Sequence, residues 1–291
     1  MPLDPSSDRK RFLTGLIGAP IAQSASPAMH QRAADALGVR CHYQLIEVAG
    51  ADPAGLLALL EGVKSFGFTG VNVTFPYKEA VVPLLDELSD GARAIGAVNT
   101  VVVRQGKLIG HNTDTTGFER AIGNLVTTSG RGPVALIGAG GVGKAIAFAL
   151  ANLAVSELSI FDSDSAKAER LAAQLQGRLA VRTTASVADA MQRAVGVING
   201  TPVGMLPDRN SPIPAALLHR DVWVADAVYS PLWTPLLIAA KASGAEVMTG
   251  RELAIYQAAD AFELFTGLKP STAEMGSAFD AVLASRSVRG I

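Results

Sequence analysis

"VALIGAGGVGKA", residues 134–145, is the stretch on which the fold turns. Val134 to Ile137 is an unbroken apolar run, the signature of a central strand covered on both faces. Gly138-Ala139-Gly140-Gly141-Val142-Gly143 then matches G-x-G-x-x-G, ahead of a helix expected from Gly143 to about Leu153. The first glycine permits a tight turn, the second lets the backbone approach a pyrophosphate, and the third lets helix and strand pack closely. Free N–H groups at the helix start attract the phosphates. Alone, the pattern is weak, since a glycine-rich turn can be only a turn. It is also a near miss to a phosphate-binding P-loop, because Gly138 to Lys144 fits G-x-x-x-x-G-K but Ala145 lacks the hydroxyl that magnesium needs.

The following segment supplies the context. The strand "ELSIFD" ends at Asp162, nineteen residues after Gly143. An acid there can accept hydrogen bonds from an adenosine ribose, although Asp162 would serve equally as the N-cap of the next helix. Dinucleotide binding is the favoured reading, with Gly138, Ala139, Gly140, Gly141, Val142, Gly143 and Asp162 holding the cofactor. A carboxylate at that place repels a 2′-phosphate, so NAD is favoured over NADP.

Downstream, a helix is expected from Ser165 to Gln176, then strands in "VGVING", "VWVADAV" and "EVMT", then helix alone from Arg251 to Ser285. Upstream, strand and helix patterns alternate. "FLTGLIG" precedes a helix over Pro27–Leu37, "HYQLIEV" a helix around Leu56–Lys64, and "GVNVTFP" a helix near Glu79–Leu88. "VNTVVVRQGKLIGHNTD" reads as a hairpin turning at Gln105-Gly106-Lys107. Such alternation predicts an α/β protein of two units that meet near Asp114 to Phe118. The expected domains are residues 1–115, completed by helices 251–291, and residues 116–250. The first ten residues read as an untethered polar tail.

Composition narrows the function. With 49% apolar and 18% charged residues, the 291-residue chain can bury a substantial core. A net charge of −1 gives no footprint for nucleic acid. Cys41 is the single cysteine, which suits a reducing cytoplasm. His30, His42, His111 and His219 lack metal-ligand spacing, so no metal is expected. Arg9-Lys10-Arg11 before "FLTGLIGAPIA" superficially resembles a secretory signal, but Gly15, Gly18 and Pro20 break the helix such a signal needs. No apolar run reaches membrane-spanning length.

The first unit concentrates polar side chains at strand ends. Ser24 and Ser26 stand at two-residue spacing after the first strand, and Asn72 and Thr74 alternate along a strand in the same way. Lys78 lies four residues beyond Thr74, Asn99 opens the hairpin, and Asp114 closes it. Each alone has a bland reading: a helix cap at Ser26-Pro27, a solvated amine at Lys78, a turn former at Asn99 or Asp114. Together, at the ends of α/β strands and beside a cofactor loop, they form a candidate ligand site.

"SASPAMH", "GVNVTFPYKEAV", "GAVNT", "NTDTTGF", "GAGGVGKA", "NGTPVGM" and "YQAADAFELFTG" occur in that order along nearly the whole chain. The series resembles the shikimate dehydrogenase family, which includes quinate/shikimate dehydrogenases. The resemblance implies an N-terminal α/β substrate domain, a Rossmann-type dinucleotide-binding domain and a cleft between them. It implies that Ser24 and Ser26 bind a substrate carboxylate, and that Asn72, Thr74, Asn99, Asp114 and Gln257 bond the ring hydroxyls of a cyclic hydroxy acid. Lys78 and Asp114 become the catalytic pair. Tyr229 falls at the substrate end, and Thr201, Ala227 and Gly250 at the nicotinamide end. The implied function is interconversion of shikimate and 3-dehydroshikimate, with quinate as a further substrate and a homodimer as a potential assembly. A paralogue acting on a modified cyclic hydroxy acid and a non-catalytic ligand sensor are the alternatives. Departures from the family pattern at Gln31, Thr249, "RELAIYQ" and "VYSPL" point towards an NAD-using, catabolic relative.

Overall fold

The computed structural model describes residues 9–128 and 131–289. The expected tail over residues 1–10 falls outside that description, except for exposed Arg9 and Lys10. The chain forms two compact units. One runs to Thr113 and resumes at Ile255; the other is Asp114–Ala254.

The first unit begins with β1 (Arg11–Gly18), α1 (Ser26–Ala36), β2 (Arg40–Glu47), α2 (Pro53–Ser65) and β3 (Gly70–Val73). It continues through β4 (Glu87–Leu88), α3 (Asp90–Ile95), β5 (Thr100–Arg104) and β6 (Lys107–His111). The strand order is β2-β1-β3-β5-β6-β4. β1 pairs parallel with β2 and β3, whereas β5 runs antiparallel to both β3 and β6. The sheet is therefore mixed, unlike the wholly parallel one that alternation alone suggests. The β5–β6 hairpin turns on Gln105 and Gly106, with φ of 52° and 77°, the primed turn that a twisted two-residue hairpin favours.

One expected element is corrected. No α-helix spans Glu79–Leu88; the segment holds turns, a 3₁₀ turn at Val82–Leu84 and β4. Pro83 has no N–H to offer the Glu79 carbonyl, which takes the Val82 N–H instead. Asp86 then joins β6, donating its N–H to Leu108 and accepting the Leu108 N–H on its carboxylate. Strand pairing displaces the helix. Val81 and neighbouring Val82, Leu84 and Leu85 still pack on the apolar core of Ile17, Leu60, Val71 and Val101.

The second unit holds α4 (Thr113–Thr128), β7 (Val134–Ile137), α5 (Gly141–Asn152), β8 (Leu158–Phe161), α6 (Ser165–Gln174) and β9 (Val181–Thr183). It continues with α7 (Val187–Met191), β10 (Gly196–Asn199), β11 (Trp223–Asp226), α8 (Pro235–Ala242) and β12 (Val247–Met248). Its strands are all parallel, in the order β12-β11-β10-β7-β8-β9. Read from the other edge, this is the 3-2-1-4-5-6 order of a doubly wound dinucleotide fold. Short α3, α7, α8 and β9 escape sequence analysis because each has too few residues to show a period.

Two closing helices follow, α9 (Gly250–Thr266) and α10 (Thr272–Arg289). Within the first unit, Ala261 and Phe265 of α9 pack on Val102 of β5. His30 of α1 is wholly buried against the rings of Tyr43, Phe262 and Phe265, and burial pushes its pKa down to about 3. It is a neutral packing residue.

Candidate functional site

The glycine loop leaves β7 at the centre of the parallel sheet, between β8 and β10, where the strand order reverses. Ligands bind outside the carboxyl ends of strands at such a reversal. Gly138 has a φ of +102°, and a Cβ there would stand 2.6 Å from the Thr201 methyl. A Cβ on Gly143 would overlap the Gly138 carbonyl oxygen, so helix and turn touch backbone to backbone. Gly140 differs. It is the N-cap of α5, no side chain caps the helix there, and a Cβ would meet no atom of the chain within 4 Å. The first-turn N–H groups of α5 are left to an outside acceptor, and the residues present fit a dinucleotide pyrophosphate. Ala139, Gly141 and Val142 complete this loop.

Asp162 follows β8 and braces the loop, one carboxylate oxygen accepting the Ala139 N–H at 2.7 Å. The other accepts the Asp164 N–H at 2.9 Å. The helix-capping alternative falls to Asp164, which accepts the Ala166 N–H and caps α6.

Loops after β10 and β11 lie beside this turn and share one buried polar group. Asn199 accepts the Thr201 N–H at 2.9 Å and the Thr201 hydroxyl at 2.7 Å. Its amide donates to Asp226 at 2.9 Å. Asp226, fully buried, also accepts the Val228 N–H at 2.9 Å and the Thr234 hydroxyl at 2.7 Å. Burial pushes its carboxyl up to about 6, against the pull of those three donors. The bonds fix the loops that carry Thr201, Ala227 and Tyr229, while Gly250 opens α9. Asn199, Asp226 and Thr234 are missing from the sequence-derived set. The available signal is a lone acid closing the apolar run of β11.

In the first unit, Ser24 and Ser26 sit at the start of α1, where Ser24 Oγ accepts the Ser26 N–H at 3.2 Å. Ala25 is the N-cap, not Ser26, and caps with no side chain. Two half-buried hydroxyls at a helix start suit a carboxylate without needing an arginine.

Asn72, in β3, is buried and its amide is fully engaged. Tyr43 donates its hydroxyl to Asn72 Oδ1 at 2.8 Å, while Nδ2 donates to the Asn99 carbonyl at 3.2 Å and the Thr100 hydroxyl at 3.0 Å. The side chain can therefore offer a ligand only a remaining lone pair on Oδ1. Asn99 Oδ1 accepts the Thr113 N–H at 2.7 Å, and its Nδ2 donates to Thr113 Oγ1 at 2.9 Å and reaches Gln257 Oε1 of α9 at 3.5 Å. Thus Asn72, Asn99 and Gln257 join one hydrogen-bonded chain.

Thr74 lies one residue past β3, half-buried, with its N–H on the Ile17 carbonyl at 2.9 Å. Lys78 is half-buried beside wholly internal Tyr77, whose hydroxyl bridges the Val48 carbonyl and the Ala51 N–H at 2.9 Å each. The Lys78 carbonyl accepts the Val98 N–H at 2.8 Å, so its backbone is tied to the segment that delivers Asn99. Asp114, buried, stands in the first turn of α4, one residue after Thr113.

Comparison with known proteins accords with this geometry. Residues 16–101 match the model of the shikimate dehydrogenase substrate binding domain. A shikimate dehydrogenase (NADP(+)) of Streptomyces avermitilis is 40% identical over 91% of this chain and 93% of its own length. The chain belongs to the shikimate dehydrogenase family. Within that family of oxidoreductases, a quinate/shikimate dehydrogenase (NAD(+)) of Corynebacterium glutamicum is 42% identical over 92% of this chain and 98% of its own. The solved quinate dehydrogenase from Corynebacterium glutamicum in complex with NAD superposes with a TM-score of 0.87, at 41% identity, over 94% of this chain and all of that one. The fold of this shikimate dehydrogenase family member is accordingly an α/β substrate domain joined to a Rossmann-type domain. Among the described residues no helix is long and apolar enough to cross a membrane.

Proposed function

We propose that the protein is an NAD-dependent oxidoreductase that interconverts shikimate and 3-dehydroshikimate and also accepts quinate. The observation that carries the proposal is the chain of buried amides and hydroxyls in the first unit, with Lys78 held on fixed backbone beside it. Such a chain suits a ring bearing several hydroxyls, and the serines at the start of α1 suit its carboxylate.

A bound nicotinamide dinucleotide supplies the hydride acceptor for oxidation and the donor for reduction. The protein's residues do the rest. In oxidation the Lys78 amine takes the proton of the substrate hydroxyl, and in reduction it returns it. Asp114 orients that amine and bonds the adjoining hydroxyl. Ser24 and Ser26 hold the carboxylate, Asn72 accepts through its carbonyl, Thr74, Asn99 and Gln257 bond the remaining hydroxyls, and Tyr229 closes the substrate end. Gly138 to Gly143, with Thr201, Ala227 and Gly250, seat the dinucleotide.

NAD is preferred over NADP because Asp162 presents a carboxylate where the adenosine ribose lies, fixed by two backbone N–H groups. Relatives are named for either cofactor, so the preference is this chain's own property to test. The lone Cys41 supports placement in a reducing cytoplasm.

Initial rates on a grid of shikimate or quinate against NAD or NADP test the proposal. Turnover of shikimate with NAD above NADP is expected. Preference for NADP removes Asp162 from cofactor selection, and binding without turnover in every cell makes the protein a sensor.

A further inference from the structure

Thr100 opens β5 and is wholly buried. Register places it opposite Asn72 of β3, so the two side chains are cross-strand neighbours. Its hydroxyl lies 3.0 Å from Asn72 Nδ2, 3.1 Å from Asn99 Oδ1 and 3.2 Å from Thr113 Oγ1. A hydroxyl has one proton and two lone pairs. Asn72 Nδ2 can only donate, so it occupies a lone pair. Asn99 Oδ1 can only accept, so it takes the Thr100 proton. The second lone pair faces the Thr113 hydroxyl. Bonding therefore runs in one direction, from Asn72 through Thr100 to Asn99.

The same bonds hold Asn99 in place. Its Oδ1 faces three donors, the Thr113 N–H, the Thr113 hydroxyl and the Thr100 hydroxyl. Exchanging oxygen and nitrogen of this amide would aim N–H groups at an N–H, so Nδ2 is held towards Thr113 Oγ1 and Gln257. Asn72 is held with Tyr43 on its oxygen and the Asn99 carbonyl and Thr100 on its nitrogen.

We propose that Thr100 is a positioning residue for the cyclic substrate: its buried hydroxyl bridges the amides of Asn72 and Asn99 and holds the two in place for the ring hydroxyls. The proposal rests on the protein's being a shikimate or quinate dehydrogenase. Thr100 acts through the asparagines, and the methyl of the same side chain has no part in it.

Thr100→Val keeps the shape and removes the hydroxyl, leaving an Asn72 donor unmet and Asn99 Oδ1 without one of its donors. Calorimetric Kd and KM for shikimate should rise by about tenfold or more. KM for NAD should not move. Thr100→Ser should restore affinity, because it returns the hydroxyl. Thr14→Val is the matched control, since Thr14 is equally buried on β1 and its hydroxyl bonds Cys41 and the His42 carbonyl. It should leave shikimate binding unchanged. Wild-type affinity in Thr100→Val, or an equal loss in Thr14→Val, overturns the proposal. A wild-type protein that neither binds nor turns over shikimate or quinate defeats the functional proposal instead. The positioning claim then stands or falls on side-chain amide NMR. Slow exchange of the Asn72 and Asn99 amide protons should become fast in Thr100→Val, and unchanged exchange refutes it.

Discussion

The two units prepare for ligands by different physical means. In the second, the glycine loop works by what side chains are not there. Helix α5 touches the β7 turn because Gly143 has no Cβ, and the turn closes on the Thr201 methyl because Gly138 has none. In the first, everything depends on which polar atoms are present and which way they face. Asn72, Thr100, Asn99 and Thr113 bond one another in the interior, and each bond made by an amide has a required donor and acceptor. A steric device tolerates almost no added atom, whereas a polar chain tolerates shape changes but not a lost or reversed bond. Substitutions should separate the two.

The largest effect is expected at Lys78, which belongs to neither device. Lys78→Ala should lower turnover by about 10²–10⁴-fold, the usual worth of a proton-transferring group, with much smaller change in shikimate Kd. Steady-state rates with calorimetry measure both, and near-wild-type turnover removes Lys78 from the mechanism.

Gly143→Ala should come next. The added methyl would overlap the Gly138 carbonyl, and overpacking of this kind costs roughly 1–3 kcal/mol, or about tenfold to a hundredfold in NAD affinity. Shikimate affinity in the other unit should hold. Loss of both together would show that the devices are not separable.

Asp162→Ser should raise the NADP-to-NAD ratio of kcat/KM by about tenfold or more. It should also weaken NAD itself, since the Ala139 N–H loses its carboxylate partner. An unchanged ratio would leave Asp162 with bracing alone.

The smallest effect concerns Asp226 and has a definite sign. Burial raises its carboxyl from 3.8 to about 6, so between those values the folded chain keeps a proton that the unfolded chain releases. Stability from this group is full below pH 3.8 and is lost as pH rises through about 6. At about 1.4 kcal/mol for each pH unit, the loss is of the order of 3 kcal/mol. Asp226→Asn cannot release a proton. Its stability relative to wild type should therefore climb across that window in denaturant melts, and a constant difference would contradict the assignment.

The same contrast explains what the amino-acid pattern disclosed. The glycine loop and its strand were legible because steric demands leave single residue types with fixed spacing, as Gly138, Gly140 and Gly143 show. The antiparallel hairpin was legible from Gln105-Gly106 for the same reason. In the first unit, Asn72, Asn99 and Gln257 could be assembled only through resemblance to a family, because hydrogen bonds between residues 158 positions apart leave no periodic trace. Thr100 and Thr113 were invisible, since threonine in a strand or at a helix start needs no special reason. The helix expected over Glu79–Leu88 failed because β6 recruits Asp86 to Leu88, a tertiary pairing that local pattern does not encode.

Hydride transfer itself is the central claim, and isotope transfer reports it most directly. Shikimate deuterated at carbon 3 should pass its deuterium to the nicotinamide ring of NAD in one-to-one yield with 3-dehydroshikimate, read by mass spectrometry. Deuterium retained in the cyclic acid, or lost to water while no reduced dinucleotide forms, would contradict the account.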